Sequence, residues 1–522
     1  MGELRRVVIH PFLFAAYPVL SLLAHNIGQV TWVVAIRPLI VSLVLALGLL
    51  SIGKLATGTW ERSGIITSLI LILFFSYGHI YDLLKSTTIL GILIARHRYL
   101  MPLWAVLFMS GLLISRFRRR VQRWTYFLNV FSIILLVYPF MQLSWFAIRS
   151  QIQPATSQYI IGEAVPLGKY DLEGLPDIYY IILDEYPRQD VLQESYDFDN
   201  SEFLEDLREL GFYVAEKSQS NYAQSELSLA SSLNFNYLRE LGVGLNPSSI
   251  DRAALWPLIK KSAARKKLEM LEYTIVAFET GYSWSQWEDA DIYSGPSKGI
   301  FARSNLSGGL SDFEVLLLRK SGAIILADGK IFLPNAFTPY LQRPARWGYE
   351  LVTFVLDQLA LLPELSDPKF VFAHILAPHP PYVFSTSGDY IGDQYLREGG
   401  LGGEAELYSH NVEGHRRSLT YINSRILQLV DEIIAKSKKP PIIILQADHG
   451  VPFSSHEDRM AILNAYYLPL GGDELLYENI SPVNTFRVVF NYYFDEELYL
   501  LKDESYFSSY SLPYEFIPVK DD

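Results

Sequence analysis

The sequence predicts an N-terminal domain of five transmembrane helices, followed by an α/β domain with a mostly parallel sheet covered by helices. Three observations lead to this prediction. The first 150 residues contain five long apolar runs, whereas later residues contain short apolar runs between amphipathic helical patterns. Three of the short runs also end at acidic residues or histidines. The chain has 522 residues, which is too long for one ordinary domain.

The composition excludes several classes of protein. The net charge is −12, so a nucleic-acid partner is not expected. The absence of cysteine excludes disulfides, thiolate zinc sites and cysteine nucleophiles. Hydrophobic residues make up 50% of the chain and the mean hydropathy is +0.15, which is high for a soluble protein.

The five apolar runs each approach the ~20 residues that cross ~30 Å of hydrocarbon. They are Val7–Leu23, Trp32–Ile52, Ile65–Leu84, Leu100–Ile114 and Tyr126–Ile148. Basic residues precede the first run and lie between the second and third, and an arginine-rich loop, Arg116–Arg123, lies between the fourth and fifth. The positive-inside rule assigns these loops to the cytoplasm. An odd number of spans then predicts a multi-pass cell-membrane protein whose polar domain is extracytoplasmic.

The predicted organisation has four parts. Residues 1–150 form the transmembrane anchor, and residues 151–175, rich in polar and turn-forming residues, form a linker. Residues 176–490 form the α/β domain, and residues 491–522 form an aromatic-rich tail with no assigned chemistry. Strands are predicted at the apolar runs Ile178–Leu183, Tyr273–Phe278, Phe370–Leu376 and Ile442–Leu445.

Candidate ligands follow three of these strands. Asp184 follows the first, His379 follows the third in a His-Pro-Pro-Tyr turn, and Asp448 and His449 follow the fourth. The carboxyl ends of parallel strands meet at one edge of a sheet, where ligand sites lie. Carboxylate and imidazole groups are suitable ligands for zinc or manganese. The alternative is that these residues only cap helices or rigidify turns.

A candidate nucleophile lies in the segment Asn-Tyr-Ala-Gln-Ser225, just before a predicted helix. The N-terminus of a helix favours a developing alkoxide and a bound phosphate. The alternative is that Ser225 is an ordinary helix N-cap.

Together these segments resemble the alkaline phosphatase superfamily, in its membrane-anchored sulfatase-like branch of lipoteichoic acid synthases and phosphoethanolamine transferases. The motifs are Ile-Ile-Leu-Asp184, Asn-Tyr-Ala-Gln-Ser225, Ala-Pro-His379-Pro-Pro-Tyr and Gln-Ala-Asp448-His449-Gly. The resemblance implies that Asp184, Ser225, Asp448 and His449 bind one divalent ion, Mn²⁺ or Zn²⁺, with Mg²⁺ or Ca²⁺ also compatible. It also implies that Ser225 is the catalytic nucleophile and that His379 lies in the substrate pocket.

The chain departs from that branch in several ways. Ser225 replaces the usual threonine, the sulfatase signature Cys/Ser-x-Pro-x-Arg is absent, and no ligand pair for a second metal is visible. The segment Tyr282–Asp291 contains no arginine for a phosphate group. Its residues Trp284 and Trp287 are interpreted as packing residues. Three further histidines are interpreted as solvated loop residues: His410, His415 and His456.

These features predict a membrane-anchored, extracytoplasmic, metal-dependent phosphotransferase or phosphodiesterase. Its substrate would be a lipid head group or an envelope glycan, attacked through a covalent phosphoserine. Two alternatives stay open at this point. One is a sulfatase-like hydrolase or phosphatase with water as acceptor, and the other is a non-catalytic envelope sensor or assembly factor.

Overall fold

The computed structural model describes residues 7–27, 32–84, 88–89, 92–93, 97–117, 121–152, 174–242, 245–296, 312–327, 343–365, 368–391, 412–451 and 455–519. The chain forms two compact units. The N-terminal unit comprises residues 1–152 and 300–344, and the α/β unit comprises residues 153–299 and 345–522. The predicted linker lies outside the described residues except at its two ends.

Five long helices in the N-terminal unit coincide with the five predicted apolar runs. They are α1 (His10–Asn26), α2 (Ile36–Thr57), α3 (Trp60–Leu84), α4 (His97–Phe117) and α5 (Val121–Ile152). Two short strands lie between α3 and α4, namely β1 (Thr88–Ile89) and β2 (Ile92–Leu93). Among the described residues, three segments are long and apolar enough to cross a membrane: Trp32–Thr57, Trp60–Leu84 and Val121–Ile148. The protein is therefore a membrane protein, while the five spans and their orientation stay predictions.

The α/β unit begins with β3 (Ile178–Leu183), where the first strand was predicted. Its next elements are α6 (Gln189–Tyr196), α7 (Ser201–Glu209), β4 (Tyr213–Val214), α8 (Ser225–Ser232), α9 (Trp256–Lys260), α10 (Ala263–Met270), β5 (Thr274–Phe278) and β6 (Ile292–Ser294). The chain then returns to the N-terminal unit for two short helices, α11 (Asp312–Arg319) and α12 (Ile324–Ala327).

The second half of the α/β unit completes the sheet and adds a separate hairpin. Its elements are α13 (Arg343–Leu359), β7 (Lys369–Ile375), α14 (Val412–Lys436), β8 (Ile442–Gln446), α15 (His456–Met460), β9 (Asn464–Tyr467) and α16 (Pro482–Tyr493). The hairpin consists of β10 (Ser505–Ser509) and β11 (Leu512–Val519). It lies within the predicted aromatic-rich tail, to which the sequence assigned no chemistry.

Seven strands form the main sheet in the order β4-β9-β8-β3-β7-β5-β6. Strands β8, β3, β7, β5 and β6 are parallel, whereas β9 and β4 pair in antiparallel fashion at one edge. This confirms the predicted mostly parallel sheet. Because side chains alternate along a strand, Tyr180 and Ile182 pack on one face, against residues of α8. Tyr179 and Ile181 pack on the other face, against residues of α14.

Candidate functional site

The parallel register brings two aspartates to the same level at the carboxyl edge of the sheet. On the central strand β3, Ile182 pairs with Gln446 of β8. Asp184 and Asp448 each follow their strand position by two residues, so they lie side by side and on the same face. Both carboxylates are buried, with 1% of each residue exposed.

Backbone amides fix the Asp448 carboxylate in one orientation. Its Oδ1 accepts hydrogen bonds from the backbone N–H of Glu185 at 3.1 Å and of His449 at 3.0 Å. The other oxygen, Oδ2, is buried and accepts no hydrogen bond from the described residues, and the same holds for Asp184 Oδ1. Buried carboxylate oxygens without a donor are costly, so these atoms require a further partner.

His374 is a site residue that sequence reasoning missed. It lies on β7 opposite Ile182, on the same face as the two aspartates. Its Nε2 is 3.3 Å from Asp184 Oδ2, and the whole residue is buried. Atoms of Asp184, His374 and Asp448 lie within 4.8 Å of one another and could hold a metal ion. The signal was the position of His374 in the alternating pattern Phe370, Phe372, His374 at the end of a strand.

His449 joins the aspartates to Ser225. Its Nδ1 lies 3.0 Å from the carbonyl oxygen of Gly450, and because a carbonyl can only accept, Nδ1 carries the proton. The unprotonated Nε2 then faces Ser225 Oγ at 3.1 Å, Asp448 Oδ2 at 3.5 Å and Asp184 Oδ1 at 4.0 Å. Burial, together with the nearby Arg459 guanidinium, lowers the pKa of His449 to about 4. His449 is thus a neutral ligand or hydrogen-bond acceptor.

Ser225 is the first residue of α8, and the N-cap is Gln224, whose side chain makes no capping hydrogen bond. The Ser225 hydroxyl points to His449 and remains partly exposed. It therefore does not act as the N-cap, which was the alternative interpretation from sequence. A hydroxyl in the first turn of a helix, next to an unprotonated imidazole, has the surroundings that activate a nucleophile.

Glu185 and His379 form a second group beside the aspartates. Glu185 has a φ of 62°, an uncommon conformation for a residue other than glycine, and it is buried. Burial raises the pKa of its carboxyl to about 7. His379 Nε2 lies 3.5 Å from Glu185 Oε2, and its Nδ1 lies 2.6 Å from the carbonyl oxygen of Pro380. Burial lowers the pKa of His379, but Asp184 and Glu185 raise it by more, so the net shift is upward.

Arg459 provides a positive charge at the site, whereas the segment Tyr282–Asp291 contains no arginine. It reaches the site from α15 and is buried. Its Nε donates to the carbonyl oxygen of Ala223 at 2.9 Å, and its Nη1 donates to that of Gly450 at 2.6 Å. Its Nη2 lies 3.4 Å from His449 Nε2. Arg459 therefore ties the segment before Ser225 to the turn after His449.

Arg252 holds both neighbours of Ser225 in sequence. Its Nη2 donates to Gln224 Oε1 at 2.5 Å, and its Nε lies 3.2 Å from Glu226 Oε2. The side chains of Arg252 and Glu226 are only 2% and 10% exposed. Burial raises the pKa of Glu226 to about 7 even though Arg252 opposes the shift. Arg252 Nη2 also donates to the carbonyl oxygen of Tyr510, at the tip of the β10–β11 hairpin.

The remaining sequence candidates include two tryptophans and two histidines. Trp287 is fully buried and stacks on Phe372 with 4.3 Å between ring centroids, as expected for a packing residue. Trp284 is also buried, and its ring lies 5.8 Å from that of His374. His456 is exposed and stacks on Phe507. His410 lies outside the described residues.

The interpretation of His415 as a solvated loop residue was wrong. His415 lies on α14, on the face that packs against the sheet, and it is 1% exposed. Its ring lies 4.3 Å from that of Tyr196 and 5.6 Å from that of Tyr382. Burial lowers its pKa to about 3, so the ring is neutral. The helix begins at Val412, which places this residue one turn before Leu419 on the same apolar stripe.

The donor set fits one divalent ion. The set consists of two carboxylates and two imidazoles, which are hard and borderline metal ligands. Each has a buried atom that lacks a hydrogen bond or faces another member of the set. The clustered ligands by geometry are Asp184, His374 and Asp448, with His449 Nε2 and Ser225 Oγ next to them. The predicted set of Asp184, Ser225, Asp448 and His449 therefore lies together, and the structure adds His374.

Comparisons with known proteins give matches among solved structures. No protein-family model and no curated protein sequence matches the chain. The integral membrane protein lipooligosaccharide phosphoethanolamine transferase A (EptA) from Neisseria meningitidis is 11% identical, covering 94% of this chain and 95% of its own, with a TM-score of 0.39. The C-terminal periplasmic domain of EcEptC from Escherichia coli, in complex with Zn, is 13% identical, covering 63% and 86%, with a TM-score of 0.37.

A third match is the sulfatase yidJ from Bacteroides fragilis, which is 12% identical, covering 63% of this chain and 75% of its own, with a TM-score of 0.34. Two of these matches are thus phosphoethanolamine transferases, a group that the sequence motifs resemble, and the third is a sulfatase. At these identities and TM-scores the matches carry no weight in assigning an activity.

Proposed function

We propose that the protein is a membrane-anchored, metal-dependent phosphotransferase or phosphodiesterase that acts on a lipid head group or an envelope glycan. The observation that carries this proposal is the position of the Ser225 hydroxyl. It lies 3.1 Å from an unprotonated imidazole, at the start of a helix, beside two buried carboxylates with unsatisfied oxygens. This arrangement favours nucleophilic attack on phosphorus.

Asp184, His374, Asp448 and His449 would hold the divalent ion. When bound, such an ion lowers the pKa of the Ser225 hydroxyl and offsets the negative charge of the transferring phosphoryl group. The protein's own contribution is to fix these ligands before substrate arrives. Asp448 is held by two backbone amides, and His449 is held by the carbonyl of Gly450.

The reaction that we propose has two displacements. The Ser225 hydroxyl gives up its proton and its Oγ forms a bond to phosphorus, while the bond from phosphorus to the leaving oxygen breaks and that oxygen takes up a proton. A hydroxyl of the acceptor, or water, then attacks the same phosphorus and releases Ser225. His379 would bind the substrate or protonate the leaving oxygen, since it borders the acids from the outer side and is partly exposed. Arg459 would support the charge of the phosphoryl group from α15.

The membrane helices support a lipid-borne substrate. Three apolar segments among the described residues are long enough to cross the bilayer. A tethered enzyme meets lipid head groups at a high effective concentration, whereas a soluble substrate gains nothing from tethering. An extracytoplasmic position of the α/β unit follows from the arginine-rich loop Arg116–Arg123.

The experiment that tests this function is mass spectrometry of lipids and envelope glycans from cells with and without the protein. We expect a phosphorus-containing head group to be moved or lost only when the protein is present. We also expect the tryptic peptide that contains Ser225 to carry a phosphoryl group in the purified enzyme during turnover. Ser225→Ala is the control, and an unchanged product profile in cells with that folded variant would contradict the mechanism.

A further inference from the structure

The N-terminal unit contains a cavity of about 500 Å³ between α1, α3, α5 and α11. The wall is mostly apolar, and Phe14, Leu71 and Phe131 lie at one end. His25, His79 and Lys320 lie at the other end, and both histidines are exposed. The cavity therefore has an apolar interior and a polar rim, and neither feature is used by the site in the α/β unit.

The two ends are separated by about the depth of one leaflet. Along α1, the cavity extends from Phe14 to His25, which is 11 residues or roughly 16 Å at ~1.5 Å per residue. The hydrocarbon core of a bilayer is ~30 Å thick, so one leaflet contributes roughly 15 Å. Along α3, the cavity extends from Leu71 to Ile80, in the same direction. A single acyl chain that enters from one membrane surface has the length to fill this cavity.

The rim has the charges of a phospholipid-binding site. Lys320 Nζ lies 2.5 Å from Asp82 Oδ2, and the Lys320 side chain is 36% exposed. Asp82 follows His79 by three residues, so both lie on the same side of α3. A phosphate group finds an ammonium and two imidazoles here, and an amine-bearing head group also finds a carboxylate. Snorkelling lysines at the membrane surface commonly hold lipid phosphates in this way.

The segment that closes the cavity is built to lie against α3. Leu317 and Lys320 line the cavity from the stretch of sequence between β6 and β7. The backbone N–H of Gly322 donates to the carbonyl oxygen of Phe74 at 2.6 Å. At Gly78, a Cβ atom would collide with the backbone of residues 319 and 320, so this position of α3 has to be glycine. The cover is therefore closely packed, and its lysine is held at the rim.

We propose that this cavity binds one glycerophospholipid, with an acyl chain along the apolar wall and its phosphate beside Lys320, His79 and His25. Binding itself is independent of the proposed function. Only the further step, in which this lipid supplies the head group that reaches Ser225, rests on it. A fatty acid lacks the phosphate that the Lys320 ammonium would hold, and free phosphate leaves the apolar length of the cavity unused.

The test uses the full chain, purified in detergent, freed of lipid, and then incubated with phosphatidylethanolamine or phosphatidylglycerol. Native mass spectrometry counts the lipid molecules that each chain retains. We expect one retained lipid in the parent and at least a tenfold lower retention in Ser76→Phe, which fills the cavity, and in Lys320→Ala, which removes the cation. Lys54→Ala is the matched control, because Lys54 does not line the cavity, and it should retain lipid as the parent does.

Several outcomes decide between the possibilities. Preferred retention of phosphatidylethanolamine supports the proposal and indicates that Asp82 binds the amine. Preferred retention of phosphatidylglycerol also supports the proposal and indicates that the bound lipid has a glycerol head group. Unchanged retention in both folded variants overturns it, as does binding of oleate but of neither phospholipid. Because Lys320 is partly exposed, Lys320→Ala keeps the test valid if Ser76→Phe does not fold. Ser225→Ala should retain lipid normally, so loss of turnover in that variant tests the proposed function separately.

Discussion

Substitution of Arg252 by methionine should destabilise the α/β unit and misplace Ser225. Methionine fills similar space but leaves Glu226 without its cation and Gln224 Oε1 without its donor. Both side chains of the ion pair are at most 10% exposed, and breaking such a buried pair costs about 3–5 kcal/mol. That loss is a large part of the roughly 5–15 kcal/mol by which a typical domain is stable. Turnover should fall by more than the loss of folded protein explains, because Ser225 lies between Gln224 and Glu226, which both lose their contact with Arg252.

A double-mutant cycle separates the charge from the loss of packing. In Arg252→Met with Glu226→Gln, no charge is left buried, and Trp256 can still donate to the amide oxygen. The acceptors Gln224 Oε1 and the Tyr510 carbonyl oxygen still lose their donor, and leaving the buried Gln224 acceptor without one costs about 1–3 kcal/mol. The double variant should therefore be more stable than Arg252→Met alone, with a coupling energy on the order of 2 kcal/mol.

The assay is urea unfolding of the full chain in detergent, and tryptophan fluorescence measures the unfolded fraction. Arg252→Lys is the charge-preserving control: it should keep most of the stability, but it should lower turnover, because one ammonium cannot replace both arms of the guanidinium fork. If the double variant is as unstable as Arg252→Met, the ion pair does not govern stability at this position. In that case the account of how Ser225 is positioned is wrong.

Three further predictions concern the nucleophile, the metal and the topology. Ser225→Ala should abolish turnover, weaken metal binding and leave the melting temperature nearly unchanged. Ser225→Thr should retain some activity on a phosphodiester substrate. Near-parental turnover in folded, metal-loaded Ser225→Ala would disprove the nucleophile role. Elemental analysis should find one divalent ion per chain, lost in His374→Ala but kept in His379→Ala, and equal retention in both variants would remove His374 from the ligand set. A reporter that works only outside the cytoplasm should be active when fused after Ser150 and inactive within 116–123, and the reverse pattern would invert the topology.

Local sequence patterns were sufficient for the helices and the main strands. The apolar runs of the N-terminal unit and the four runs of the α/β unit each became a helix or a strand, because period and length are properties of a short stretch of chain. The parallel order of the strands then placed Asp184 beside Asp448, as the sheet-edge rule predicted. Four adjacent strands of the sheet were therefore predictable to within one residue at each end, whereas β4, β6, β9 and the hairpin were not predicted.

The missed site residues have in common that tertiary structure brings them to the site. His374 lies inside an apolar strand and looks like a core residue until its face of the sheet is known. Arg459 reaches the site from α15, and Arg252 comes from the loop before α9. No periodicity in their own segments marks them, since Arg459 binds Ala223, which is 236 residues away in sequence, and Arg252 binds Gln224, which is 28 residues away.

The position of Ser225 depends on contacts at both ends of α8. A helix of eight residues is too short to be stable alone, so tertiary contacts have to hold it in place. At its start, Arg459 binds the carbonyl of Ala223 and Arg252 binds Gln224. At its end, the Tyr180 hydroxyl and Ser232 Oγ are hydrogen-bonded at 3.0 Å.

The C-terminal hairpin belongs to the same support. Gln224 Nε2 donates to the carbonyl oxygens of Ser508 and Ser509, both at 3.1 Å, so the residue before Ser225 is bound to β10 as well as to Arg252. The predicted tail is therefore a structural part of the site, although its sequence contains no catalytic pattern. Because these contacts form on folding, the Ser225 hydroxyl is held against His449 before any substrate binds. Little of the binding energy of a lipid substrate is then needed to order the nucleophile, and that energy remains for the transition state.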